Sequence, residues 1–112
     1  MFNIDAKLIK RDLSSFINLQ SYYKNKQNRL IKKTKLSHLK LKNAFPLKKF
    51  YTLLSYNLQK YNIKPTHSYN ELEFLLNKFS NNILLIGAFN NDSLLAGTIV
   101  YKYNNIYHTQ YL

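Results

Sequence analysis

Three histidines, at positions 38, 67 and 108, are the side chains of this 112-residue sequence best suited to exchange a proton near neutral pH. There is no cysteine, so thiolate nucleophiles, thiolate metal sites and disulfides are excluded. His108 opens the run His108-Thr109-Gln110-Tyr111. On a strand, His108 and Gln110 share one face, with Tyr107, Thr109 and Tyr111 on the other. An imidazole there can act as a general base, and the hydroxyls and amide beside it can hold a polar substrate. The plainer alternative is a polar strand end satisfied by its neighbours. His67 follows Pro65-Thr66, where it either projects into a cleft or hydrogen-bonds an adjacent loop. His38 lies among lysines and reads as a solvated surface residue. No two histidines stand four apart and no carboxylate cluster joins them, so no metal site is expected. Glu71 and Glu73 fall in the first turn of an expected helix, where capping accounts for them better than catalysis.

The formal net charge is +12, and it is unevenly spread. Residues 1–64 hold 15 of the 17 basic residues against Asp5 and Asp12, whereas residues 65–112 are close to neutral. Such a half-chain invites a nucleic-acid reading through phosphate contacts, centred on the lysine-rich stretch at 24–35. Only Arg11 and Arg29 are arginines, the residue whose planar fork best matches phosphates and base edges. Aromatic interleaving is limited to Tyr22 and Tyr23. Abundant Lys with 15 Asn and 10 Tyr fits the codon drift of an AT-rich genome, and a solvated charged face explains most of this stretch. The expectation is no sequence-specific nucleic-acid binding, with a small basic nucleic-acid-binding protein as the alternative function.

The elements that position these residues follow from the apolar spacing. Residues 8–19 show no clean helical period and suggest extended chain. Residues 21–36 lack Gly and Pro, and Tyr22, Tyr23, Lys26, Leu30 and Lys33 would share one face of a cationic helix. Leu39-Lys40-Leu41-Lys42-Asn43 alternates as a short strand with one wet face. Pro46 suits a first helical position, and Leu47, Phe50, Tyr51, Leu54, Leu58 and Tyr61 recur at 3.6 spacing, predicting a helix over 46–61. Ser68 with Glu71 three residues on is a capping box that opens a second helix carrying Leu72, Leu75, Leu76 and Phe79. Then come an apolar strand from Ile83 to Phe89, a turn at Asn90–Ser93, a strand over 94–103, a tight turn at Asn104-Asn105 and a third strand to Leu112. The fold class is α/β: strand, helix, helix, then a three-stranded antiparallel meander, with the helices packed on it through Leu54, Leu58, Leu72 and Leu76. The domain division is an upstream segment with the basic helix over 1–38 and the α/β unit over 39–112.

Pro65-Thr66-His67-Ser68 before the second helix, Leu95-Ala96-Gly97-Thr98 on a strand, and His108-Thr109-Gln110-Tyr111 on the next resemble the GNAT-type domain of the Fem-like bacterial acyltransferases. Arg11-Asp12-Leu13-Ser14-Ser15 and the basic stretch after it also resemble that family's upstream region, so the likeness covers roughly residues 8–112. The resemblance implies the first half of an acyl-CoA-dependent N-acyltransferase, in which an amine attacks the thioester directly. It implies His108 as the catalytic base and His67, Thr109, Gln110 and Tyr111 as substrate-binding residues. Acyl-CoA would be the co-substrate, met by backbone N–H groups of the fourth strand, with its pyrophosphate in a Gly-rich loop at the next helix. The acceptor would be an amine-bearing small molecule or envelope precursor. The two glycines, Gly87 and Gly97, both fall in or beside strands, so residues 1–112 hold no such loop. The chain is therefore expected to be incomplete at both ends and inactive in isolation, with an open last strand prone to self-association. The longest apolar run, around Ile83–Ile86, is too short to span a bilayer. Residues 1–5 are not a secretory signal, which makes a cytoplasmic location the expectation.

Overall fold

A computed structural model describes residues 5–18, 29, 30, 32, 33 and 38–111. The chain divides into two compact units, Met1–Lys33 and Thr34–Leu112. In the first, residues 5–18 form neither helix nor strand, and Leu8, Ile9, Leu13 and Phe16 are all exposed. Among the described residues the extended reading thus gains no strand over 8–18, and residue 19 lies outside them. Arg29, Leu30, Lys32 and Lys33 are helical, and the rest of the basic helix expected at 21–36 lies outside the described residues.

The second unit is a mixed α/β layer pair. Its elements are β1 (Lys40–Lys42), α1 (Leu47–Gln59), α2 (Tyr69–Lys78), β2 (Ile83–Asn90), β3 (Ser93–Tyr103) and β4 (Ile106–Tyr111). The four strands form one antiparallel sheet in the order β1-β2-β3-β4. Strand, helix, helix and meander are as the sequence pattern predicts.

Local chemistry explains each boundary. α1 begins one residue later than the proline pattern predicts: Pro46 is the cap, its φ fixed at −59° but its ψ at 126°. Its carbonyl accepts the Lys49 N–H at 3.1 Å. Ser68 and Glu71 make the reciprocal box, with the Ser68 N–H donating to Glu71 Oε2 at 2.7 Å and the Glu71 N–H to Ser68 Oγ at 3.2 Å. With both glycines inside strands, the three left-handed positions among the described residues are all asparagine: Asn62, Asn91 and Asn104, at φ 56°, 53° and 52°. Asparagine is the side chain that tolerates this region best after glycine. Asn91 and Asn104 each open a two-residue hairpin loop.

The core lies between the helices and one sheet face. Leu47, Phe50 and Leu54 from α1, Leu72 from α2, Leu85 from β2 and Ile99 from β3 form one buried cluster, with Leu58 and Leu76 packed against it. Burying such a side chain is worth about 1.5–3 kcal/mol. Gly97 is required by close approach, since a Cβ there would sit 2.8 Å from the Phe50 ring. Gly87 is similar, with Phe45 and Leu94 each 2.7 Å from an added Cβ.

β1 differs from the expected strand with one wet face. Its register pairs Lys40 with Phe89 and Lys42 with Gly87, so the lysines, not the leucine, lie on the helix-bearing side. Leu41 faces the other way and is 79% exposed. At this rim a lysine stem covers what a helix does not reach: Lys42 Nζ lies 4.7 Å from the Phe89 ring centroid.

Candidate functional site

The polar residues with chemical potential gather where the loop before α2 meets β4. The capping box at Ser68 fixes the chain direction just after His67. β4 arrives alongside β3, but its pairing is not regular. Tyr101 faces His108 and Val100 faces Thr109, whereas Ile99 faces Tyr111, so Gln110 is skipped. This is a β-bulge: two residues of one strand oppose one of its partner, and the side-chain alternation shifts phase.

The phase shift corrects the face assignment expected from simple alternation. Tyr111 shares the helix-bearing face with Ile99, and His108 shares that same face with Tyr101. Thr109, opposite Val100, lies on the other face. His108 and Tyr111 therefore look toward the helices, and Thr109 does not share their side.

Tyr111 is tied directly to His67, 44 residues earlier. Its hydroxyl accepts the His67 backbone N–H at 3.3 Å and stands 2.5 Å from the ring Nδ1. The hydroxyl that accepts from the backbone can either give its own proton to Nδ1 or accept one from it, according to the imidazole tautomer. Tyr51, on the inner flank of α1, donates its hydroxyl to the His67 carbonyl at 3.3 Å. Tyr51 is itself held edge-on to Tyr69, the first residue of α2, with ring centroids 5.6 Å apart. The far side of Tyr111 is anchored too, its carbonyl accepting the Thr98 hydroxyl at 2.5 Å. Both ends of the pair are therefore positioned by three separate elements.

Tyr101 completes the group. Burial pushes its phenol above the ordinary tyrosine value, and the neighbouring Tyr111 adds to the effect. His108 stands beside it with ring centroids 6.4 Å apart, but its own side chain is exposed. The arrangement supplies a clamped imidazole, a second imidazole open to solvent and three phenols, which suits binding of a polar group and proton transfer to or from it.

Of the expected site residues, the fold brings His67 and Tyr111 into contact, keeps His108 on the same face, puts Gln110 in the bulge and sends Thr109 to the opposite side. His38 is exposed in a bend before β1. Glu71 is occupied by the cap. Tyr51, Tyr101 and Thr98 also belong to the site; the sequence pattern marks Tyr51 as a core position and Thr98 only as part of the Leu95–Thr98 stretch, and gives none of the three a site role. The available signal is a tyrosine at an inward helix or strand position, since a buried phenol seeks a partner for its hydroxyl. Among the described residues no group of three or more His, Asp or Glu is placed to hold a metal ion, and no helix is long and apolar enough to cross a membrane.

Comparison with protein-family models, with curated proteins and with solved structures finds no match.

Proposed function

We propose that residues 39–112 serve as the N-terminal half of a GNAT-type acyltransferase domain that transfers an acyl group from acyl-CoA to an amine. The observation that carries this reading is the bulge at Gln110, between His108 on β4 and Tyr111, whose hydroxyl meets His67 of the loop before α2. A strand bulged there carries a residue outside the regular ladder, and its N–H becomes available to a thioester carbonyl. The order strand, helix, helix, meander supports the same reading.

In the reaction so proposed, the amine nitrogen attacks the thioester carbonyl carbon. The carbon–sulfur bond breaks, CoA leaves as thiolate, and the proton released by the nitrogen goes to His108 and from there to the thiolate. His67, Tyr111 and Gln110 would orient the acceptor. Thr109 has no such part, because it lies on the opposite face. Acceptors of the envelope-precursor class, and a cytoplasmic place of action, belong to this proposal.

The test is a thiol-release assay with acetyl-CoA over a panel of amines, alongside calorimetry with acetyl-CoA. The 112-residue chain is expected to release no thiol. Fused to the loop-and-helix half of a GNAT domain it is expected to do so, and His108→Ala is expected to lower the turnover of that fusion roughly 10²–10⁴-fold. Micromolar acetyl-CoA affinity or turnover in the 112-residue chain, or no thiol release by the fusion, would sink the reading.

A further inference from the structure

We propose that the solvent face of α1 binds the backbone of a single-stranded nucleic acid, without sequence preference. The proposal is independent of the acyltransferase reading and rests on a different face of the molecule. Lys48, Thr52, Tyr56 and Lys60 follow one another at intervals of four, which aligns them along one side of a helix. Lys49 flanks the row at its start and Lys64 lies just beyond its end. From Lys48 to Lys60 the row runs about 18 Å at the helical rise per residue.

Two grooves border this row and meet at Thr52 and Tyr56. One is lined by Lys48, Lys49, Leu53 and Leu94 as well, the other by Ser55, Gln59, Asn62 and Lys64. Their volumes, ≈ 620 and ≈ 820 Å³, fall within the size of ligand clefts. The Tyr56 ring is 62% exposed between them, with Lys60 Nζ 5.2 Å from its centroid.

Among the described residues no carboxylate pairs with the lysines of this face. α1 contains no Asp or Glu, and among the described residues the one salt bridge, Lys10–Asp12, lies in the other unit. Lys49 Nζ donates to the Asp92 backbone carbonyl at 3.1 Å, a neutral acceptor. Lys48 and Lys49 also sit in the first turn, at the positive end of the helix, where no acidic residue offsets them. A polyanion laid along the row meets the ammonium groups and the helix end together. Exposed tyrosine with flanking lysines suits unpaired bases, which stack on any ring face. Lysine rather than arginine gives point charges without a base-reading fork, so affinity follows the phosphates and not the sequence.

The test is fluorescence anisotropy of the full chain with labelled oligo-dT and oligo-dA of equal length, across a salt series. The comparison pairs the triple variant Lys48→Gln, Lys49→Gln, Lys60→Gln with a control triple that removes the same charge elsewhere, Lys10→Gln, Lys78→Gln, Lys102→Gln. Wild type is expected to bind both oligomers at 10⁻⁴–10⁻⁶ M near physiological salt, the non-specific range. The α1 triple should weaken binding at least ten-fold and lower the salt slope by about 2, as three lost single-strand contacts require. The control should change affinity less than two-fold, and Tyr56→Ala should cost roughly five-fold or more. Equal loss in both triples would overturn the proposal, since the charge would then be acting diffusely. So would unchanged affinity in the α1 triple, or binding of phosphatidylserine vesicles that the α1 triple abolishes while neither oligomer binds.

Discussion

The hairpin β2–β3 and the strand β4 are built on different principles. Along β2 and β3 the paired residues Leu85 and Ile99 face the helices, and Phe89 is sealed by Phe45 at 5.0 Å. Those side chains are held by apolar packing, which has no direction and tolerates small adjustments. β4 buries none of its residues fully, and Ile106, Tyr107, His108 and Thr109 are all exposed. What fixes its far end is directional: the Tyr111 hydroxyl on His67 and the Thr98 hydroxyl on the Tyr111 carbonyl. The comparison teaches that this fold places its stability in one hairpin and its candidate chemistry on the strand beside it. A strand held by a few hydrogen bonds can be polar along most of its length, whereas a strand that forms the core cannot; a bulge is open to both, since Leu95 of β3 is skipped between the pairs Ala88–Ala96 and Phe89–Leu94.

The largest effect should come from the packed hairpin. Ile99 is 0% exposed, so Ile99→Ala leaves a cavity that cannot refill from solvent and is expected to cost about 2–5 kcal/mol. Ile106→Ala, on β4, should stay within about 0.5 kcal/mol, as exposed positions do. Gly97→Val should belong with Ile99→Ala, because its added atoms meet the Phe50 ring. Urea unfolding of the three variants decides the matter. Similar losses at Ile99 and Ile106 would mean that β4 carries as much of the fold as its neighbours.

A smaller effect should appear at the polar anchor. Tyr111→Phe keeps the ring and removes the hydroxyl that meets the His67 N–H and Nδ1. The expected cost is about 0.5–1.5 kcal/mol, with the half-buried His67 ring left short of a partner. The signature is local: amide hydrogen exchange should quicken along 106–111 and at His67, while the amides of Leu85 and Ile99 keep their protection. Uniform quickening across the sheet would show that β4 and the hairpin open as one unit.

This division also explains what the sequence pattern reveals and what it hides. The two helices, the capping box and the meander depend on spacings within a dozen residues, and Leu54, Leu58, Leu72 and Leu76 pack as their period predicts. The orientation of β4 depends on the bulge at Gln110, and nothing near Gln110 signals it. The contacts that accompany the bulge come from Thr98 and His67, residues remote in the chain. Alternation read straight through 106–111 therefore puts Tyr111 on the wrong face. Tyr51 and Tyr101 were hidden differently, since each fits its helix or strand period as an ordinary inward residue and only the assembled site gives its hydroxyl a role. β1 shows a third kind of loss: Lys40 and Lys42 alternate as expected, but the side they occupy is set by pairing with β2.

The smallest expected effect is a pH dependence at the boundary between the two regions. Tyr101 stands on β3 beside β4, and its phenol is raised first by burial and then by Tyr111. A raised acid holds its proton more tightly in the folded chain than in the unfolded one, where the value is near 10. Above that pH the folded state binds more protons than the unfolded, so stability falls as pH rises. The contribution of Tyr101 is thus fully present below about pH 10 and is lost as pH climbs through 10 toward the raised folded value. Partial exposure keeps the effect modest. The informative quantity is a difference between variants. Urea midpoints measured from pH 8.5 to 11 should fall less steeply for Tyr101→Phe than for wild type, with Tyr111→Phe in between, because Tyr111 is the second cause. Parallel curves for all three would mean that the Tyr101 phenol is as hydrated as in the unfolded chain, and that the β3–β4 boundary is open to water.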